Sequence, residues 1–179
     1  MGLKRKAVVI EGQKFTFSIT PEQLTDALML VEQYSLDESM RRMDDVFKQQ
    51  PALLGAIIHL PRHGVSHVDL DPALRYLLIL FECFTRNVPS FPTVPRETVQ
   101  KALDDIAAML RFYDGETPKE ADRLQKQSVL KHQEQAVLAF LTTYCMTHFK
   151  KQTGEHERLR NACLAITNAC LEELDRLVR

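Results

Sequence analysis

The chain reads as a mainly all-α protein, a bundle of about six to seven helices with an N-terminal β-hairpin. Three observations carry that reading. From residue 20 onward apolar residues recur at three- and four-residue steps, the period of a helix with one buried face. The breaks between these stretches carry helix start and stop signals, namely Thr-Pro, Ser-x-x-Glu, Asp-Pro and Asp-Gly. Only residues 7 to 19, "AVVIEGQKFTFSI", keep the two-residue alternation of a strand.

In that opening stretch Phe15, Phe17 and Ile19 share one side, and Lys14, Thr16 and Ser18 share the other. Glu11-Gly12-Gln13 supplies the turn. A lone hairpin is marginal in water, so its apolar face is expected to lie on the helices or on another chain. Residues 1–19 therefore form a tail and hairpin packed on a single helical domain, residues 20–179. The start, "VVIEGQKFTFSI" followed by "TPEQL", resembles the opening of small phage tail-assembly chaperones, which also place a hairpin before helices. The likeness spans less than a fifth of the chain and holds no diagnostic motif, so no family is assigned from it.

The helices follow in order. Thr20 caps the first and Pro21 takes its first position, with Leu24, Ala27, Leu28 and Val31 on one face as far as Tyr34. Ser35 and Glu38 make a capping box for the second, whose inward side is expected to be Leu36, Met40, Met43, Val46 and Phe47. Pro51 opens a short third helix, "PALLGAIIHL", closed by Pro61 and Gly64. Asp71, as a cap, and Pro72 start the fourth, and "ALRYLLILFECF" is apolar nearly all round, as a central helix should be. "NVPSFPTVP" is a stiff, extended connector.

The fifth helix carries Val99, Ala102, Leu103, Ile106 and Leu110 and ends at Asp114-Gly115. Thr117-Pro118 opens a sixth stretch that meets no glycine or proline before Gly154. Its polar first half is expected to project into solvent or to be covered by another subunit. The last helix, from about Glu155, repeats Leu159, Cys163, Ile166, Cys170 and Leu177. Ala162 and Ala169 beside them allow close approach of a neighbour. Glu172, Glu173, Asp175 and Arg176 are expected to stay wet.

At 179 residues, 45% hydrophobic and 26% charged, the chain can bury one ordinary core and is far from a disordered composition. A net charge of −1 gives no field for collecting nucleic acid. The apolar run Leu77 to Phe81 is interrupted by Glu82 and is too short to span a bilayer, and "MGLKRKAVVI" has too few apolar residues for a signal peptide. Cys83, Cys145, Cys163 and Cys170 lie in apolar helical stretches with no C-x-x-C pair, which fits reduced, buried thiols in a cytoplasmic protein.

Candidate chemistry is sparse. "HLPRHGVSH" holds His59, His63 and His67, three of the six histidines, at helical spacing. Pro61 and Gly64 break the helix that would align them, so a polar surface loop is the better reading. His63, His67 and Asp69 are the residues to watch for a metal, His67 and Asp69 because an extended segment would point both the same way. Glu82 stands in an apolar helix where an unpaired carboxylate is costly, with Arg75 seven residues before it and Arg86 four after. It is either an internal ion pair or a carboxylate facing a pocket. Tyr144, Cys145 and His148 share one helical turn, in a setting with no positive potential to hold a thiolate. The sequence holds no G-x-S-x-G, P-loop, H-E-x-x-H or dinucleotide fingerprint, and no cofactor is implied.

Surfaces then say more than motifs. The hairpin face, the half-polar rod and the Ala/Cys/Leu stripe point to a non-enzymatic helical adaptor, assembly factor or regulator. It would bind another protein, with neither nucleic acid nor membrane as partner. It would also form a homodimer burying part of residues 117 to 179. The alternative is a small helical enzyme or ligand- or metal-binding protein with a pocket near Glu82 and the His59–His67 loop.

Overall fold

A computed structural model describes the backbone of residues 7–10, 13–16, 19–113, 135–151 and 153–177, and side chains for 19–110, 135–151 and 153–177. The fold is mainly all-α. Helices α1 (Pro21–Gln33), α2 (Leu36–Gln49), α3 (Pro51–Ile58), α4 (Asp71–Asn87), α5 (Arg96–Tyr113), α6 (Gln135–His148) and α7 (Gly154–Leu177) follow in order. Strands β1 (Ala7–Ile10) and β2 (Gln13–Thr16) pair antiparallel, Ala7 opposite Thr16. The turn between them and the side chains of both strands lie outside the described residues, and with them the expected packing of the hairpin. The same holds for residues 114–134, the polar half of the expected sixth rod.

Two helices form the centre. α4 buries every residue from Tyr76 to Phe84, and α7 buries twelve residues around most of its circumference. α1 packs most extensively on α4, α5 packs on α7, and α2, α3 and α6 fill the flanks. One continuous apolar cluster joins them. Between the two central helices the Tyr76 hydroxyl lies 2.8 Å from Thr167 Oγ1. Thr167 donates its single proton to the Cys163 carbonyl, so Tyr76 is the donor in that pair. The Tyr144 hydroxyl ties α6 to the start of α4 by donating to the Pro72 carbonyl at 2.8 Å.

The start signals act as the sequence predicts at two helices. Thr20 and Gln23 close a capping box on α1, and Ser35 and Glu38 close one on α2. Asp71 differs. A 3₁₀ turn, Val68–Leu70, runs straight into α4, so Leu70 takes the cap position and Asp71 the first helical one. Its carboxylate lies 4.0 Å from Arg75, with no backbone amide to cap.

Two expected faces are also corrected. Glu173 turns inward, where it accepts from Thr98 Oγ1 at 2.8 Å and from Arg176. Arg176 also reaches Glu172 at 2.9 Å, and Lys101 of α5 reaches Glu172 at 3.3 Å. The end of α7 is thus clamped to α5 by charge, and of the four residues expected to stay wet only Glu173 is buried, whereas Arg176 is exposed and Glu172 and Asp175 are half-buried. The second correction concerns α2, where of the five residues expected inward only Val46 is buried and Met43 half-buried. Leu36, Met40 and Phe47 are 76%, 61% and 61% exposed.

The proline connector is held by one side chain. Gln50, 3% exposed at the α2–α3 junction, donates from Nε2 to the Pro92 carbonyl and accepts from the Val94 amide, both at 2.8 Å. It thereby pairs with the extended chain as a neighbouring strand would. Phe91 docks on Phe84 with ring centroids 4.8 Å apart. Replacing Gln50 with leucine leaves a buried amide and a carbonyl without partners, each costing about 1–3 kcal/mol. Gln50→Leu is expected to lower unfolding stability by about 2–4 kcal/mol in urea denaturation.

Candidate functional site

α4 brings Glu82 to the middle of the bundle with 0% exposure. A carboxylate there is tolerated only if both oxygens find charged or strongly polar donors. Three side chains from three helical segments converge on it. Arg42 of α2 donates from Nε to Oε1, and Arg86, one turn along α4, donates from Nε to Oε2 at 3.1 Å. Tyr34, at the C-terminal cap of α1, brings its hydroxyl close enough to the same carboxylate to favour its anionic form. Arg42 extends the chain of charge to Asp45 at 2.7 Å, and its guanidinium lies 5.3 Å over the Phe81 ring, within cation–π range.

Burial pushes the Glu82 carboxyl up, but the hydrogen bonds from Arg42 and Tyr34, the Arg42 charge and the Arg86 hydrogen bond outweigh it. They hold it below its ordinary 4.5. The group is an anion at neutral pH and its oxygens are spoken for. Tyr34 moves the other way: burial, then donation to Glu82, raises its hydroxyl above the usual range.

The geometry separates the residues singled out in the sequence. Glu82 and Arg86 meet, whereas Arg75 is turned to Asp71. Arg42 is the partner that sequence reasoning missed, because forty residues separate it from Glu82. The one available signal was that a buried Glu82 has two oxygens and its own helix supplies a single well-placed arginine.

His59 ends α3, His63 closes a 3₁₀ turn (Leu60–His63) and His67 precedes the next. All three are exposed, and Asp69 is half-buried. Gly64 takes the left-handed backbone, φ 83°, which confirms the break at that point. Among the described residues no three His, Cys, Asp or Glu side chains are grouped to hold a metal ion.

Tyr144, Cys145 and His148 lie together, but in a packing role. Tyr144 packs in a tilted arrangement against His148 and Tyr76, with ring centroids 4.2 and 5.2 Å away. Cys145 has Cys163 as its hydrogen-bonding neighbour, which lowers its thiol against the opposing effect of burial. Burial, then the charges of Arg75 and Lys150, holds the His148 imidazole below its ordinary range. All four cysteines are buried, and none is in a disulfide. Two shallow cavities of about 520 and 210 Å³ are lined by α5 surface residues and by Gln23, Asp26, Ala27, Arg86 and Asn87. Neither lining includes Glu82.

The Glu82 clamp fixes how α2 is rotated. The side of α2 that faces the bundle is Ser39, Arg42, Met43 and Val46 with Gln50 beyond, at helical spacing and largely polar. The apolar stripe Leu36, Met40 and Phe47 is therefore left on the outside. Each such side chain is worth about 1.5–3 kcal/mol if it becomes fully buried. This outward stripe is the feature of the surface most in need of an explanation.

Comparison with protein families, with curated proteins and with solved structures finds no match to this chain. Among the described residues no helix is long and apolar enough to cross a membrane.

Two outcomes are expected at the clamp. Arg42→Ala leaves Glu82 with Arg86 and Tyr34 only. Losing one member of a buried pair costs about 3–5 kcal/mol, and with a third of the Arg42 side chain exposed about 2–3 kcal/mol is expected. The pH dependence has a fixed sign. The folded value of Glu82 lies below the unfolded one, so its contribution is complete above about pH 4.5 and is lost as pH falls through the folded value. Glu82→Gln should be less stable at neutral pH and should show a shallower loss on acidification. Parallel acid-unfolding profiles of the two proteins would contradict the clamp.

Proposed function

We propose that the protein is a non-enzymatic, helical protein-interaction module of the adaptor, assembly-factor or regulator class, self-associating and cytoplasmic. One observation supports this above others. α2 is firmly built, with a capping box at its start and polar anchors to the bundle, yet it presents Leu36, Met40 and Phe47 to the outside. A preorganised amphipathic helix of this kind is what helix-in-groove and helix-on-helix recognition uses, because no ordering cost remains at binding.

The flanks of the stripe favour a protein over a lipid surface. α2 carries Asp37, Glu38, Asp44 and Asp45 against Arg41, Arg42 and Lys48. Helices that lie in membranes are instead rich in lysine and arginine on the polar face. The expected dimer surface moves accordingly. The Ala/Cys/Leu stripe of α7 is used inside the chain's own core, so it is not available to a partner.

A photo-crosslinking amino acid at position 40 or 47 tests the reading without knowledge of the partner. Covalent adducts to polypeptide are expected in cells from both positions and not from the exposed position 104 on α5. Equal yields from positions 40 and 104 would contradict it.

A further inference from the structure

Two cysteines from different helices meet where α6 packs on α7. Cys145 lies in the last turn of α6 and Cys163 lies in the middle of α7. Contacts on both sides hold them together. On one side Tyr76 spans both helices: its ring packs 5.2 Å from that of Tyr144, the neighbour of Cys145, and its hydroxyl lies 2.8 Å from Thr167 Oγ1, one turn beyond Cys163. On the other, Arg160 donates to the Phe149 carbonyl at 2.7 Å, and these two residues stand one turn from Cys163 and Cys145. Between these contacts the two thiols are neighbours. A disulfide joins side chains whose Cβ atoms are about 4 Å apart, a spacing that facing residues of closely packed helices reach.

The two thiols are not equivalent. Cys145 keeps 7% exposure and Cys163 has none. A last helical turn is also where local opening is easiest. The Cys163 thiol, then the Arg160 charge, favours the Cys145 thiolate against the effect of burial. Arg160 thus brings from α7 the positive potential that the sequence of α6 lacks. At Cys163 burial dominates and keeps the proton on sulfur. Cys170, about 10 Å further along the α7 axis than Cys163, is pushed up by burial and then by the Glu173 charge.

We propose that Cys145 and Cys163 form an oxidisable dithiol. Cys145 reacts first with hydrogen peroxide, and Cys163 converts the product to a disulfide between α6 and α7. In the first step the Cys145 sulfur attacks one peroxide oxygen. An S–O bond forms, the O–O bond breaks, and the departing hydroxide takes up the proton given by Cys145 to leave as water. The Cys163 sulfur then attacks the sulfenic sulfur of Cys145. An S–S bond forms, the S–O bond breaks, and the second hydroxide leaves as water with the Cys163 proton. Both sulfurs are oxidised and both peroxide oxygens are reduced to water. In a reducing compartment such a bridge is transient, as redox-sensing disulfides are.

The test uses the full chain, reduced, exposed to graded hydrogen peroxide, quenched and digested without reductant. Free thiols should fall from four to two, and the peptides that hold Cys145 and Cys163 should be joined. Cys83 and Cys170 should react at least about tenfold more slowly. In Cys163→Ala the sulfenic acid at Cys145 should persist and be captured by dimedone, whereas Cys145→Ala should leave Cys163 a free thiol. The wild-type peptide map needs neither variant, so it decides the matter even if one of them fails to fold. Four thiols surviving peroxide, or loss spread evenly over all four cysteines, would overturn the dithiol. Dimedone capture at Cys163 in Cys145→Ala, as fast as at Cys145 in the other variant, would overturn the order of the two steps.

Discussion

Glu82 has no surface of its own, and the bundle is arranged around that condition. A carboxylate in the middle of α4 costs several kcal/mol unless its charge is answered. Its own helix supplies Arg86 but cannot reach the second oxygen. The second donor comes from α2, and the Tyr34 hydroxyl approaches from the end of α1. One buried group therefore decides where two neighbouring helices lie and how α2 is turned. With Arg42 inward, Leu36, Met40 and Phe47 are outward as a geometric consequence, because they lie around the helix from it. The outward apolar stripe is thus the reverse side of an internal ion pair.

Elsewhere the same device is used with uncharged groups. The apolar cluster supplies most of the attraction but little register, since leucine, isoleucine and valine pack acceptably in several rotations. Register comes from a few buried polar contacts that have one good geometry each. Tyr76 with Thr167 fixes α4 against α7, Tyr144 with Pro72 fixes α6 against α4, and Gln50 fixes the proline connector. At the end of α7 charge returns, with Thr98, Glu173 and Arg176 fixing it on α5. Each joins elements far apart in sequence, which suits a bundle in which chain neighbours are not always packing neighbours.

Local signals were legible in the sequence to a residue or two. The cap at Thr20, the capping box at Ser35, the break at Gly64 and the apolar character of α4 all depend on near neighbours, and near neighbours are what a single sequence displays. Asp71 was misplaced as a cap because Val68–Leu70 continues as a 3₁₀ turn, and nothing in "VDLDP" separates an extended approach from a helical one. The face of α2 was misread for a deeper reason. The periodicity rule assumes that the apolar side of a helix is the buried side. Here a long-range electrostatic demand outweighed it, and the demand arises at residue 82 whereas the helix it turns is residues 36–49. Glu173 escaped notice for the same reason, its partner Thr98 lying on another helix. Of the candidate site, Glu82 and Arg86 were visible from their spacing on one helix, and Arg42 was not.

The orientation of α2 can be measured directly by thiol labelling at nanomolar concentration. The four native cysteines are buried, so single cysteines introduced at Phe47 and Val46, adjacent in sequence and on different faces, report on a quiet background. The Phe47→Cys thiol should react at nearly the rate of a free thiol. The Val46→Cys thiol should react only as fast as the protein unfolds. Protection of the Phe47→Cys variant together with rapid labelling of the Val46→Cys variant would place the apolar stripe inward and contradict the account.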